Sequence, residues 1–178
     1  MSDGIRDSGF GIRIPDPSRI PKPNRIPNPK SRIPALVIAT VLGIGYIRIA
    51  PGTFGSAAGL LVWAIMPSSA LVQGVAIAVL FVIGAWSGSI AEEHFGTTDP
   101  RQVVIDEVMG MLITLFLNPV GRVGAAGAFL LFRLADIVKP FPAHRLERLP
   151  GGIGVMADDG MAAIYANLAL RLILAVAA

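Results

Sequence analysis

Apolar residues run through residues 35–178 in long stretches that polar residues interrupt at only a few points. Ala35 to Ile47 and Ala57 to Met66 are apolar runs shorter than the ~17–25 residues that a membrane-spanning helix needs. The segment Ala50 to Ser56 between them is rich in Gly, Pro, Thr and Ser, and predicts a break in the helix. The pattern predicts a re-entrant or discontinuous helix, which a membrane tolerates only where the irregular backbone faces protein or a cavity.

Further apolar segments predict the remaining helices. Their limits are Ala70 to Ala91, Val103 to Leu117, Gly121 to Val138 and Met161 to Ala178. Only the first of them is long enough to span a bilayer without further argument. No segment alternates apolar and polar residues between turn signals, as a half-buried strand would. The sequence therefore predicts an all-α, multi-helix membrane bundle with short and discontinuous helices.

Residues 1–34 have a different composition. An Arg-Ile-Pro hexapeptide repeats from Arg13 onward, and seven of the chain's 14 prolines lie in this segment. Closely spaced prolines predict an extended, disordered, proline-rich N-terminal tail (1–34) that precedes a helical membrane domain (35–178). The tail carries seven Lys/Arg and three Asp, and the positive-inside rule then places the N-terminus in the cytoplasm. Two interpretations of the tail stay open: a variable solvated segment, or an arm that contacts anionic lipid or a protein partner.

Composition narrows the classes of function. The chain is 53% hydrophobic and 15% charged, which is too apolar for an ordinary soluble domain and favours a membrane protein, with a soluble all-helical domain as the alternative. Residues 35–178 carry eight Lys/Arg and nine Asp/Glu, so the net charge of +3 comes from the tail, and no basic face indicates a nucleic-acid partner. The absence of cysteine excludes Cys-dependent phosphatases. Because a charge inside a membrane is costly, the few charges of the body are candidates for function.

The acidic residues of the body form two candidate groups. Asp106 and Glu107 lie about 100° apart on their predicted helix, on either side of a face that carries Gly110 and Thr114. This arrangement lets a small hard cation such as hydrated Mg²⁺ approach between two oxygen donors. Asp158-Asp159 precedes the last predicted helix, where one aspartate fits an N-cap and a second is more than a cap requires.

Basic and hydroxyl side chains form the complementary candidates. Arg133, Asp136 and Lys139 follow one another at three-residue spacing, so they share one face of a helix. A structural ladder of ion pairs uses the same residues, but opposite an acidic helix the two cations also suit a bound phosphate. Thr53 and Ser56 lie in the predicted break just before a helix, where backbone amides attract anions.

Taken together, these motifs resemble the phosphatidylglycerophosphatase A family in order and spacing. The matching stretches are Ala50 to Ser56; Asp99-Pro100 with Val103 to Glu107 and Gly110; Phe132-Arg133, Asp136, Lys139-Pro140 and Pro142; and Gly151-Gly152, Gly154, Met156 and Asp158-Asp159. The resemblance implies an integral membrane phosphoric monoester hydrolase that converts phosphatidylglycerophosphate into phosphatidylglycerol with Mg²⁺. It further implies a bacterial inner-membrane location with the active site on the cytoplasmic face and a phospholipid as substrate.

The resemblance also turns the candidate residues into a hypothesis about roles. The predicted metal ligands are Asp106, Glu107, Asp158 and Asp159. The predicted catalytic residues, among which one carboxylate positions the attacking water, are Glu107, Asp136 and Asp159. The predicted phosphate-binding residues are Thr53, Ser56, Arg133 and Lys139. A phospho-aspartate intermediate is the alternative to direct attack by water.

A function of another class uses the same charges. In a small membrane transporter or channel subunit, intramembrane acids and cations line an ion path, and in a scaffold they only fix the register of helices. The acids, however, gather at predicted helix starts and beside glycine-rich segments. A lipid headgroup at the membrane surface reaches such positions more easily than a pore at the midplane does, and the pattern therefore favours the enzyme.

Overall fold

The computed structural model describes residues 29–146 and 149–177, and over these ranges the chain is all-α, without a strand. The helices are α1 (Pro29–Ala39), α2 (Pro51–Ile65), α3 (Ala70–Phe95), α4 (Ile105–Leu115), α5 (Arg122–Val138), α6 (Ala143–Leu146) and α7 (Gly152–Ala177), with a short 3₁₀ helix at Ile44–Tyr46. The all-helical prediction is confirmed. The greater part of the predicted tail, residues 1–28, lies outside the described residues.

Helix α4 lies at the centre of the bundle and packs against α2, α3, α5 and α7. Nine of its 11 residues are buried. Helix α2 approaches it closely because Gly55 and Gly59 face α4 without side chains. The backbone N–H of Val104, just before α4, donates to the Ala39 carbonyl at 2.9 Å. These contacts hold the first turn of α4, which carries Asp106 and Glu107, inside the bundle.

Within residues 29–146 and 149–177, two helices are long and apolar enough to cross a membrane, namely α3 and α7. Most of the apolar window in each faces outward, since 11% of it is buried in α3 and 28% in α7. Leu71 and Val82 on α3 and Leu172 and Val176 on α7 are examples of exposed apolar side chains. Apolar surface on this scale is typical of a protein that contacts lipid. The sequence predicts one clear span, at Ala70 to Ala91, and the structure adds α7 as a second candidate span.

The predicted break at Ala50 to Ser56 is wrong, because α2 begins at Pro51 and includes most of it. Proline fits the first position of a helix, where its missing N–H has no partner to lose. The glycines and hydroxyl residues that indicate a loop in the sequence instead let α2 pack against its neighbours. Thr53 and Ser56 consequently lie in the first two turns of α2 and not in a loop.

The last helix also starts earlier than predicted, at Gly152 instead of Met161. Its start is held by tertiary contact, since Ser89 Oγ on α3 accepts a hydrogen bond from the Gly152 N–H at 2.9 Å. Asp158 and Asp159 therefore lie in the second turn of α7, and the interpretation of either one as an N-cap is wrong.

The N-terminal helix corrects a third expectation. Helix α1 begins at Pro29 and contains Pro34, so the prediction of an extended chain is wrong for residues 29–34. Four residues separate these two prolines, which leaves room for one helical turn with Pro29 at the favourable first position. Ala35 and Ala39 are fully buried, and α1 packs along α3. Packing of this small-residue face outweighs the hydrogen bond that Pro34 removes.

Polar side chains from α7 cap the C-terminal end of α4, the end away from Asp106 and Glu107. Asn167 Nδ2 donates to the carbonyls of Ile113, Thr114 and Phe116 at 2.9–3.0 Å. Arg171 donates to Asn167 Oδ1 at 2.9 Å and to the Phe116 carbonyl at 3.3 Å. Carbonyls at the end of a helix have no partner of their own in the helix, and in an apolar setting such a partner is needed. Asn167 and Arg171 allow this short helix to end inside the bundle.

Candidate active site

A pocket of about 340 Å³ lies where α2 and α4 begin and α5 ends. Its lining also includes α7 and the loop that connects α3 to α4. The acidic residues of the lining are Asp99, Asp106, Glu107, Asp136 and Asp159, and the basic ones are Arg101, Arg133 and Lys139. The excess of carboxylates in this pocket favours a bound cation.

Three of these carboxylates form one compact group, which consists of Asp106, Glu107 and Asp159. Each offers an oxygen atom that lies within 4.8 Å of an oxygen of the other two. Asp106 and Asp159 are buried, with 5% and 4% of their surface exposed. Glu107 Oε2 and Asp159 Oδ2 are buried and have no hydrogen-bond partner among the described residues. Buried oxygens of this kind are costly unless a cation or a donor satisfies them.

The electrostatics of the first turn of α4 also favour a bound cation. Burial, followed by the neighbouring charge of Glu107, raises the pKa of Asp106 well above its usual value. Burial also raises the pKa of Glu107, against the opposing effects of a hydrogen bond with Asp106 and the charge of Arg133. Both shifts mean that the charged carboxylates are destabilised by their surroundings. Positive charge placed among them would reverse this effect.

Arg133 lies beside this group and is held from two sides. Its Nη1 lies 2.8 Å from Asp136 Oδ2 and 3.9 Å from Glu107 Oε1. The same nitrogen donates to Ser56 Oγ at 3.5 Å, and that hydroxyl in turn donates to the Gly52 carbonyl at 2.9 Å. Ser56 therefore contacts the pocket through Arg133 and is not part of its lining.

Lys139 and Asp158 form a second pair. Lys139 Nζ donates to Asp158 Oδ2 at 2.5 Å, and only 2% of the Asp158 side chain is exposed. Lys139 lines the pocket, whereas Asp158 does not. Successive residues of a helix point about 100° apart, so Asp159 faces α4 while Asp158 faces Lys139. The structure thus brings Asp159 but not Asp158 together with Asp106 and Glu107.

The start of α2 forms another wall through Ala50, Pro51 and Gly52. A side chain on Gly52 would collide with Glu107 Oε1 and come within 3.1–3.2 Å of the Arg133 guanidinium. The absence of a side chain here lets both charged groups approach the start of α2. Thr53, one residue further along, is half-buried and is not among the lining residues.

The sequence patterns indicate no role for Asp99 and Arg101, both of which line the pocket. They come from the loop between α3 and α4, which lacks a periodic pattern. A signal was present nonetheless, because Arg101 is the only Lys or Arg between Arg48 and Arg122. Charged residues are rare in the body of the chain, so this arginine is as much a candidate for function as the acids are.

Comparison with known proteins agrees with the geometry. The profile of the phosphatidylglycerophosphatase A family matches residues 37–174 of this chain. Two similar proteins carry that name: one from Haemophilus influenzae is 38% identical over 137 residues (75% of this chain and 84% of its own length), and one from Escherichia coli is 32% identical over 142 residues (76% and 83%).

A third relative carries a different substrate in its name. A Bacteroides thetaiotaomicron protein named "Putative phosphatidylinositol-3-phosphatase" is 38% identical over 144 residues, which cover 76% of this chain and 89% of that protein. No solved structure matches the chain significantly. The family profile covers most of the bundle and every acidic residue that lines the pocket. The chain is therefore a membrane-associated phosphoric monoester hydrolase, and it belongs to the phosphatidylglycerophosphatase A family.

Proposed function

We propose that the protein is a Mg²⁺-dependent phosphatase that hydrolyses phosphatidylglycerophosphate to phosphatidylglycerol and inorganic phosphate. The observation that carries this proposal is the buried group of Asp106, Glu107 and Asp159 beside Arg133 in one pocket. Acids that can bind a hard cation and a cation that can bind a phosphate are the two requirements of phosphoryl transfer. Two relatives named for this activity support the choice of substrate.

The donor set fits Mg²⁺. This ion prefers carboxylate oxygens and keeps several of its waters, and the group offers two buried oxygens, Glu107 Oε2 and Asp159 Oδ2, that lack another partner among the described residues. In the proposal Asp106, Glu107 and Asp159 would hold the metal, while Asp158 holds Lys139. Bound there, Mg²⁺ supplies positive charge that offsets the negative charge of the acids and of the substrate phosphate.

Arg133 and Lys139 bind the phosphate oxygens from the α5 side of the pocket. Each is fixed by a carboxylate, Arg133 by Asp136 and Lys139 by Asp158, so their orientation is set before the substrate arrives. Fixed donors stabilise developing charge without reorganisation. The start of α2 forms another wall of the same space through Ala50, Pro51 and Gly52.

In the proposed reaction a water attacks phosphorus opposite the departing glycerol oxygen. We assign Asp136 to position this water and accept its proton, because it lines the pocket next to Asp159 but stands outside the three-carboxylate group. The bond from phosphorus to the glycerol oxygen breaks, and that oxygen takes up a proton. Asp136→Asn would then lower kcat by a larger factor than the factor by which it changes KM.

The substrate is a phospholipid, so the pocket has to open near the membrane surface. A volume of about 340 Å³ lies at the small end of ligand pockets, which span about 300–1,000 Å³, and it suits a headgroup rather than a whole lipid. The acyl chains would remain in the bilayer beside the apolar outer surface of the bundle. The bacterial relatives and the basic N-terminal tail support the inner membrane with the site facing the cytoplasm.

A substrate panel tests this assignment. Purified protein in detergent is given phosphatidylglycerophosphate, phosphatidylinositol 3-phosphate or phosphatidic acid at equal surface fractions, and phosphate release is measured. We expect the highest kcat/KM on phosphatidylglycerophosphate. A preference of tenfold or more for phosphatidylinositol 3-phosphate would replace the proposed substrate, and no release from any of the three would return the transporter or channel subunit to consideration.

A further inference from the structure

Arg101 stands apart from the other two cations of the pocket. Arg133 and Lys139 each form an ion pair with a carboxylate, whereas Arg101 forms none with any described residue. Among the described residues, the Arg101 guanidinium makes one hydrogen bond, in which Nη2 donates to the Arg48 carbonyl at 3.0 Å. Arg101 is exposed, while Asp106 and Asp159 at the other end of the pocket are buried. It therefore lies at the mouth and is available to an anion there.

The loop that carries Arg101 is held firmly in place. The Asp99 N–H donates to Glu92 Oε1 of α3 at 3.1 Å, and the Val104 N–H at the other end of the loop donates to the Ala39 carbonyl of α1. Arg101 itself ties the loop to the segment before α2 through Arg48. The loop is thus held by three separate attachments, and the bond to Arg48 also positions the guanidinium beside the mouth, which lowers the entropic cost of binding an anion.

The substrate has a second anion at a fixed separation from the first. In a lipid of the proposed class, a polyol links the terminal phosphate monoester to a phosphodiester, which in turn carries the diacylglycerol. When the monoester lies beside Arg133 and the buried acids, the diester has to lie farther out, toward the membrane. The mouth offers Arg101 on one wall and the exposed apolar side chain of Ile137 on another.

We propose that Arg101 forms a subsite for the phosphodiester of the lipid headgroup, outside the pocket that binds the reacting monoester. This inference rests on the proposed function, because it takes the substrate to be a lipid that carries both groups. Arginine suits the task, since its planar guanidinium donates in pairs to phosphate oxygens. One N–H group of Nη2 donates to the Arg48 carbonyl, and the remaining N–H groups can donate to the diester.

Binding measurements without turnover test the subsite. Dihexanoyl phosphatidylglycerol carries the diester but lacks the terminal monoester, and it is titrated into the protein in detergent with Mg²⁺ while the heat is recorded. Inorganic phosphate is titrated separately as a probe of the inner pocket. For Arg101→Ala we expect binding of the lipid to weaken about tenfold, as for the loss of a charge-assisted hydrogen bond, and binding of phosphate to change less than twofold. Arg101→Lys should recover part of the lipid affinity.

Two variants serve as controls. Arg145→Ala removes an exposed arginine that stacks on Phe141 and does not line the pocket. Arg48→Ala keeps the backbone carbonyl that holds Arg101. Both should bind the lipid within twofold of the unmodified protein.

Every other outcome overturns the subsite. Equal losses of lipid and phosphate affinity in Arg101→Ala would place Arg101 at the monoester. An equal loss of lipid affinity in Arg145→Ala would reveal only a general attraction to charge. Absence of measurable lipid binding by the unmodified protein would exclude the subsite as well. Because the assay needs no turnover, failure of the subsite and failure of the proposed phosphatase activity are separate results.

Discussion

The close approach of Gly52 to the charged groups of the pocket predicts a large effect from adding a single methyl group. In Gly52→Ala the new Cβ would collide with Glu107 Oε1 and lie 3.1 and 3.2 Å from the two terminal nitrogens of Arg133. Glu107 and Arg133 are both mostly buried, with 13% and 17% of their side chains exposed. Arg133 is also held by Asp136 and Ser56, so Glu107 has to move.

Two separate magnitudes follow from this displacement. Overpacking typically costs about 1–3 kcal/mol, and replacing a helical glycine by alanine returns about 0.5–1 kcal/mol, so the net loss of stability is at most about 2.5 kcal/mol. Moving a catalytic group by about 1 Å lowers the rate about a hundredfold. We therefore expect kcat to fall about a hundredfold while the protein remains folded.

The assay is phosphate release from phosphatidylglycerophosphate in detergent micelles, together with thermal unfolding of the same samples. Gly127→Ala is the matched control, because it also lies inside a helix and a Cβ there would meet nothing within 4 Å. It should keep kcat within twofold and gain a little stability. If Gly52→Ala retains more than half of the activity of the unmodified protein, the reasoning about Glu107 and Arg133 is refuted.

Three further predictions concern the acids, the fold and the tail. Glu107→Gln keeps the shape of the side chain but removes its charge, and should lower Mg²⁺-dependent kcat at least about a hundredfold; a smaller loss in steady-state kinetics would remove Glu107 from the metal group. Asn167→Leu removes one donor from each of the carbonyls of Ile113, Thr114 and Phe116 and should lower the free energy of unfolding by about 1–3 kcal/mol, with kcat of the folded fraction preserved; denaturant titration measures this, and an unchanged midpoint would count against the cap. Deletion of residues 1–28, which precede α1, should leave kcat within twofold, and a tenfold loss would show that the tail takes part in turnover.

The middle of the fold was predictable because its helices end at local signals. Proline or glycine follows α4 and α5 closely, and their predicted limits lie within two residues of the observed ones. The starts of α2 and α7 were not predictable in this way. Glycine-rich segments there indicate loops by propensity, and only contact with other helices, such as that of Ser89 with Gly152, makes them helical.

The chemistry of the site was predictable from the sequence, whereas which of its residues come together in space was predictable only in part. Helical spacing placed Arg133, Asp136 and Lys139 on one face, and the structure puts all three in the lining of one pocket. Which acids meet depends on how α7 is rotated against α4, and this rotation is set by packing. Hence Asp159 joins the group while its neighbour Asp158 pairs with Lys139.

The central claim is that the buried carboxylates hold a divalent cation that turnover of phosphatidylglycerophosphate requires. The most direct measurement is phosphate release by the purified protein after treatment with EDTA, followed by addition of excess Mg²⁺. The account predicts that EDTA abolishes release and that Mg²⁺ restores it in the unmodified protein but not in Glu107→Gln or Asp159→Asn. Release that continues undiminished in EDTA, or that Mg²⁺ restores fully in both variants, would contradict it.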